Sequence, residues 1–349
     1  MIGRDAAPSR AFAKLKPVLE ERGLEVDLMV GDGQLLSQSD QEVVLAVEGA
    51  NLMLLGMSSP AENAQPEILA GEKARELEIP YGFYGDVIRC WARARKGAWF
   101  ENLASTAEFY FGVTEDDANA AYEVFPNAQL IGTGNPLREE MAFPKFTRDE
   151  VRAKLNIAPH EKLILAPGGR FPGGGDCVSW AIIIEALSIL AKEREHFQLI
   201  MTPHPGDQNR FSVYKELASL SSVPARVIYR EVLRTSEAVP GADIIIECGS
   251  SIGIEGAYQE IPVVTLGLEI LLQYFEQESG SRRLESVEDG LSEFVPGDSS
   301  KLAEAIRRLL TPEGYAPMRA CQQAMCPKPA KLGTALHKMA DAVCSLLNE

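Results

Sequence analysis

Short apolar runs recur along the chain, most of them closed by a small-residue turn and followed by a stretch with apolar positions at helical spacing. Residues 9–22 carry Phe12, Leu15 and Leu19 on one helical face, and Gly23 stands where a helix would stop. Residues 26–30 and 52–55 read as strands, the second ending at Gly56 with Ser58-Ser59-Pro60 behind it. Residues 42–48 fit a helix or a strand, and residues 65–77 a helix. Residues 80–83 form a short strand that ends at Gly85-Asp86, and strands at 109–112 and 128–132 flank a helix at 115–122. The pattern then breaks over residues 135–148, which carry prolines and charge, and a helix begins near residue 149. A second series follows: strands at 162–166, 197–202, 226–229, 243–246 and 262–266, with helices at 176–193, 211–220 and 251–258 between them. Helical patterns at 299–310 and 331–347 complete the chain. Alternation of this kind predicts an α/β protein with parallel sheets. The expected architecture is two Rossmann-like domains facing a cleft, residues 1–140 and 141–330. A C-terminal helix, 331–349, follows the second domain.

Composition narrows the partners. The chain has 349 residues and a formal net charge of −16. Both halves are acidic, so no basic face is available for nucleic acid. Six cysteines are scattered without a C-x-x-C pair and there are only four histidines, so no metal site is expected. Scattered thiols in a chain of this size read as buried, reduced and cytoplasmic. The N-terminus has no apolar leader, and the most apolar stretch, near residues 182–190, is interrupted by Glu185.

Three loops at strand ends carry the candidate chemistry. Residues 241–266 read as strand, Gly249-Ser250-Ser251 turn, helix and strand. A helix entered through such a turn offers unpaired N–H groups and a positive dipole end to a phosphate. The hydroxyls of Ser250 and Ser251 add donors, and Glu255, one turn on, is placed to accept from a ribose. The alternative is an ordinary β-α-β crossover with a small polar turn. The loop APGGRFPGGGD at residues 166–176 brings Gly169 close to a ligand and offers Arg170 as a phosphate fork. It lacks the G-x-G-x-x-G spacing of a nicotinamide site, and it could equally be a plain surface loop. His204 lies between two prolines just past a strand. Ligands of open α/β sheets bind at the carboxyl ends of the strands, where all three loops fall.

Residues from about 110 to 310 resemble the GT-B group of nucleotide-sugar enzymes, which includes UDP-N-acetylglucosamine 2-epimerases, lipid-A-disaccharide synthases and CDP-glycerol glycerophosphotransferases. LIGTGNPLREEM resembles the connector between their two domains, MTPHPGD their strand-end His-Pro, and ECGSSIGIEGAYQEIPVV their donor site. The resemblance implies that Ser250, Ser251 and Gly253 meet a diphosphate and that Glu255 meets the ribose. It also implies that the C-terminal helix, 331–349, packs back on the first domain, and a role in cell-envelope polysaccharide synthesis. Gly256 departs from the alanine common there, and GGRFPGGG replaces the epimerase arginine-histidine loop. Such families open on a full apolar strand. Here only Met1 and Ile2 precede Gly3-Arg4-Asp5, so the first strand is expected to be missing or to begin upstream.

In the N-terminal half, Asp86 follows a strand and a glycine, a favourable place for a general base, with Asp5 as a second candidate. The alternative for Asp86 is a helix cap. Ser58 and Ser59 are placed to line an acceptor. Residues 89–99 join Arg89, Arg93, Arg95 and Lys96 to Trp91 and Trp99, a segment that suits an anionic acceptor, a peripheral membrane contact or a solvated helix face. The leading expectation is a glycosyltransferase with Asp86 and His204 catalytic. Its donor would be a nucleotide sugar, UDP-linked by preference, and it would need no cofactor and no metal. The acceptor would be a glycan, lipid or small molecule. A UDP-sugar 2-epimerase or hydrolase, a CDP-alcohol phosphotransferase and a non-catalytic nucleotide-sugar-binding protein are the alternatives.

Overall fold

The structure, a computed structural model, describes residues 1–92, 97–169, 175–192, 196–204, 211–279, 282 and 284–348. The chain divides into two units, residues 1–140 with 329–349 and residues 141–328. Each is built on a six-stranded sheet whose assigned pairings are all parallel.

In the first unit the strands are β1 (Ile2–Gly3), β2 (Met29–Val30), β3 (Met53–Leu55), β4 (Tyr81–Tyr84), β5 (Phe109–Gly112) and β6 (Gln129–Gly132). Their order across the sheet is β2-β1-β3-β4-β5-β6. The first strand is therefore present, reduced to two residues that pair with both β2 and β3. Parallel strands covered on both faces are apolar throughout, and β4 and β5 are buried at every position. Gly82 is required in β4, because a Cβ there would lie 2.2 Å from the Phe109 carbonyl oxygen. On one face Phe83 meets Phe100 edge-on at 5.5 Å, and Tyr110 stacks on Phe125 at 4.6 Å. On the other, the helix Ala6–Glu20 supplies Phe12, Leu15 and Leu19. The final helix Thr334–Leu346 supplies Met339, Ala340 and Val343 to the same cluster as Tyr84, Phe109 and Phe111. That last helix has no side-chain cap of its own. Its first amides, on Thr334 and Ala335, donate to the Glu139 carboxylate at 2.8 and 3.0 Å.

In the second unit the strands are β7 (Lys162–Pro167), β8 (Phe197–Thr202), β9 (Ala225–Val227), β10 (Ile244–Glu247), β11 (Val263–Gly267) and β12 (Glu293–Pro296), in the order β12-β11-β10-β7-β8-β9. Alternate residues of β10 serve opposite layers, as strand geometry demands. Ile244 and Ile246 join the cluster under helices Gly175–Ala191 and Ser299–Leu309, while Ile245 joins Val151, Leu163 and Val239 on the other side. Trp180 meets Tyr214 at 4.7 Å within the first of these layers. Arg152 is buried but fully answered, donating to the carbonyls of Ala158 and Glu161 at 2.9 and 2.7 Å and to Asp243 at 3.0 Å.

Several elements escape the sequence pattern. The segment read as a connector contains the helix Pro136–Met141. The edge strand β12 is short and exposes Phe294, so its hydrophobic signal is weak. The helix Pro312–Met325 carries Gly314 and Pro317, which read as breakers.

Candidate functional site

The order of the second sheet fixes where a ligand belongs. From β7 the chain runs outward through β8 and β9, and from β10 it runs the opposite way through β11 and β12. The two directions diverge between β7 and β10, and the crevice at their carboxyl ends is the expected ligand position of an open α/β sheet. A pocket of about 290 Å³ lies at this edge, with walls from the loops after β7, β8, β9 and β10. Gly168, His204, Ser250 and Ser251 line it, together with Arg230 and Arg234, which the sequence pattern did not single out. Ile228, Leu233 and Ile252 add an apolar side.

Glycine at 168 lets two loops meet. Its N–H donates to the Thr202 carbonyl at 2.8 Å, and a Cβ would stand 3.1 Å from the His204 amide nitrogen. Gly169 is not a free donor, since its N–H is held by the Asp176 carboxylate at 3.0 Å. Arg170 and the glycines that follow it to 174 lie outside the described residues.

The Gly-Ser-Ser turn is organised differently from the expectation. Glu247, the last residue of β10, is fully buried, and one of its carboxylate oxygens accepts the N–H groups of both Gly249 and Ser250, the latter at 2.6 Å. The other oxygen accepts the Thr265 hydroxyl, which lies 2.7 Å from Ser292 Oγ. Burial pushes the Glu247 carboxyl up to about 7 despite these bonds. Two amides assigned to a phosphate are thus taken by the protein itself. Gly249 sits at φ 86°, a left-handed conformation that favours glycine. Ser250 caps the helix Ser251–Tyr258, its Oγ accepting from the Ile252 amide at 3.3 Å. Gly253 is buried and its N–H donates to the Ser250 carbonyl at 3.0 Å. A Cβ there would meet Glu247 Cγ at 3.1 Å, so this glycine makes room for the buried acid. Ser250 and Ser251 line the pocket, the latter exposed. Glu255 is partly buried and its carboxyl is raised to about 7 by burial, with no hydrogen bond to it among the described residues.

In the first unit the sheet order diverges between β1 and β3. The loops there are braced by Glu67, a fully buried acid that sequence reasoning missed. It accepts the Arg4 amide at 3.0 Å and the Ser58 hydroxyl, and Ser58 Oγ accepts the Asp5 amide at 3.0 Å. Burial raises the Glu67 carboxyl above its ordinary range. Ser58 is itself fully buried, so it ties loops together and does not line an acceptor surface. Asp86 is partly buried beyond β4; its carbonyl accepts from Asn135 Nδ2, and its carboxylate lies 3.3 Å from the Cys90 thiol. In the stretch 89–99, Trp91 and Trp99 are partly buried and pack against the core with both indole nitrogens buried, and residues 93–96 lie outside the described residues. Among the described residues no helix is long and apolar enough to cross a membrane, and no group of acids, histidines and cysteines could hold a metal ion. Cys321 is exposed, against the expectation of buried thiols.

No protein-family model matches the sequence, and no curated protein is significantly similar to it. The fold has clear relatives among solved structures. The UDP-GlcNAc 2-epimerase of Neisseria meningitidis bound to UDP-GlcNAc aligns over 99% of both chains with a TM-score of 0.59 and 17% identity. A glycosyltransferase of Rickettsia africae aligns over 100% of this chain and 98% of its own, with a TM-score of 0.61 and 14% identity. MurG of Acinetobacter baumannii aligns over 99% of both chains, with a TM-score of 0.63 and 14% identity. The chain has the two-domain α/β fold of these proteins, the GT-B fold.

Proposed function

We propose that this protein is a glycosyltransferase that takes its sugar from a nucleoside-diphosphate donor, UDP-linked by preference. The observation that carries the reading is the pocket at the point of divergence of the second sheet. It joins an apolar side to three serines, a threonine, a histidine and two arginines, with no carboxylate among its described lining residues. Mostly apolar walls with a few convergent polar groups suit a small-molecule ligand. In this assignment Ile228, Leu233 and Ile252 hold the base, Ser250 and Ser251 bond the diphosphate, and Glu255, one turn along the helix and outside the pocket's described lining, accepts from the ribose. Arg170 joins the diphosphate set on its sequence position alone. Gly169, Gly249 and Gly253 shape the loops and do not donate to the ligand.

In the proposed reaction an acceptor hydroxyl oxygen bonds to the anomeric carbon while the bond from that carbon to the diphosphate oxygen breaks. Asp86 takes the hydroxyl proton, and His204 with the arginines stabilises the departing charge. Donor titration by thermal shift is the first test. A UDP-linked sugar is expected to raise the melting temperature above a matched sugar phosphate, with GDP- and CDP-linked sugars weaker; no shift with any of them would refute the reading. A second reading, a UDP-sugar 2-epimerase, is favoured by the near-complete overlap with the Neisseria meningitidis enzyme. Incubation with UDP-GlcNAc and no acceptor separates the two, since only an epimerase returns the epimeric sugar.

A further inference from the structure

We infer that Arg230 and Arg234, on the loop after β9, are the residues by which this pocket selects a diphosphate over the bare nucleoside. The inference rests on the nucleotide-sugar reading above and names which side chains give it its charge preference.

The chain as a whole is strongly acidic, at −16, yet the lining of this pocket combines two arginines with no described acid. Another pocket of the same unit, about 550 Å³ in volume, shows the usual outcome for arginines at a concave surface. There Arg148 is paired with Asp243 and Arg319 with Glu260, each at 2.7 Å, so neither brings net charge to a ligand. Arg230 differs. It is exposed, lines the pocket, and makes no ion pair or hydrogen bond among the described residues. Arg234 is also exposed and lines the pocket. Its backbone N–H donates to Glu237 at 3.2 Å; that carboxyl is held below its ordinary range first by Lys145, ion-paired at 2.9 Å, and only in smaller part by the charge of Arg234.

A guanidinium held in an uncompensated concave site is a fork for phosphate oxygens. The need for such a fork follows from the turn after β10. There the Gly249 and Ser250 amides, which would otherwise meet the phosphate, are consumed by Glu247, and a carboxylate lies beneath. Positive charge must enter from another wall, and the loop after β9 supplies it.

The test compares UDP, uridine and inorganic pyrophosphate by titration calorimetry on the full chain and on R230A, R234A and R230K. The expected result is that each alanine variant weakens UDP and pyrophosphate about tenfold while uridine changes by less than about twofold, and that R230K recovers part of the loss. The salt dependence of UDP binding should flatten in the alanine variants. If the variants bind UDP as the parent does, or lose uridine and UDP alike, the assignment of these arginines fails while the nucleotide reading stands. If the parent binds pyrophosphate with loss in R230A but ignores UDP, the nucleotide reading fails and the anion role survives. If the parent binds none of the three, both fail. Both side chains are exposed, so the variants are expected to melt as the parent does.

Discussion

Glu247→Gln tests the account of the turn after β10 most directly. In the folded protein this carboxyl is sealed from water, and burial outweighs its three hydrogen bonds, raising it from 4.5 to about 7. The native state therefore holds a proton that the unfolded chain has released over the interval between those values. Stability from this group is fully present below pH 4.5 and is lost as pH rises through 7. Linkage over that shift makes the native state less stable at pH 8 than at pH 5 by about 2–3 kcal/mol. Glutamine keeps the shape, its carbonyl able to accept the Gly249 and Ser250 amides and its amide able to face Thr265, but it cannot titrate. Glu255 and the neighbouring groups remain in both proteins, so their contributions cancel in the difference. Urea unfolding can isolate the second unit, because the chain has three tryptophans and Trp180 alone lies there. In a W91F/W99F background its fluorescence reports that unit. With a urea slope of about 3 kcal/mol per molar, the parent midpoint should fall between pH 5 and pH 8 by roughly 0.8 M more than the variant midpoint. Parallel pH profiles for the two proteins would mean that Glu247 is ionised throughout, and the argument about the turn would be wrong.

Glu255→Gln should weaken UDP binding about tenfold while leaving pyrophosphate unchanged, read by calorimetry, if the carboxylate meets the ribose. Ser250→Ala removes the cap on the Ile252 amide and should cost about 1 kcal/mol in the same tryptophan-resolved urea experiment. Gly82→Ala places a methyl against the Phe109 carbonyl and should destabilise the first unit by about 2 kcal/mol or more, lowering its melting temperature. Glu139→Ala leaves the Thr334 and Ala335 amides without their acceptor, and hydrogen exchange at residues 334–346 should accelerate while exchange in β7–β11 is unchanged.

What could be read from sequence follows from how strongly each segment states its period. Buried central strands are largely apolar, and β5 and β8 emerge with the bounds expected. The edge strand β12 and the proline-bearing helix Pro312–Met325 state no such pattern. For the site, position at strand ends brought His204, Ser250 and Ser251 to one pocket, because topology puts those loops on one edge. It could not reveal which amides were already engaged. That depends on Glu247, whose side chain turns back beneath its own loop, a fact about three-dimensional reach and not about spacing. A clue existed in a lone acid ending the apolar run Ile244–Ile246. Arg230 and Arg234 were invisible for the opposite reason: arginines near the end of a short strand are ordinary in sequence, and only the pocket they line, with no acid among its described lining residues, distinguishes them.

The fastening of the final helix to Glu139 has a consequence for synthesis of the chain. The second unit is continuous, residues 141–328, whereas the first is interrupted by it and finished only by residues 329–349. As the chain leaves the ribosome, strands β1–β6 emerge first, but Phe12, Phe109 and Phe111 wait for Met339 and Val343 to cover them. A released chain ending near residue 330 should therefore carry one protease-resistant body, the second unit, and an earlier segment still open to a chaperone.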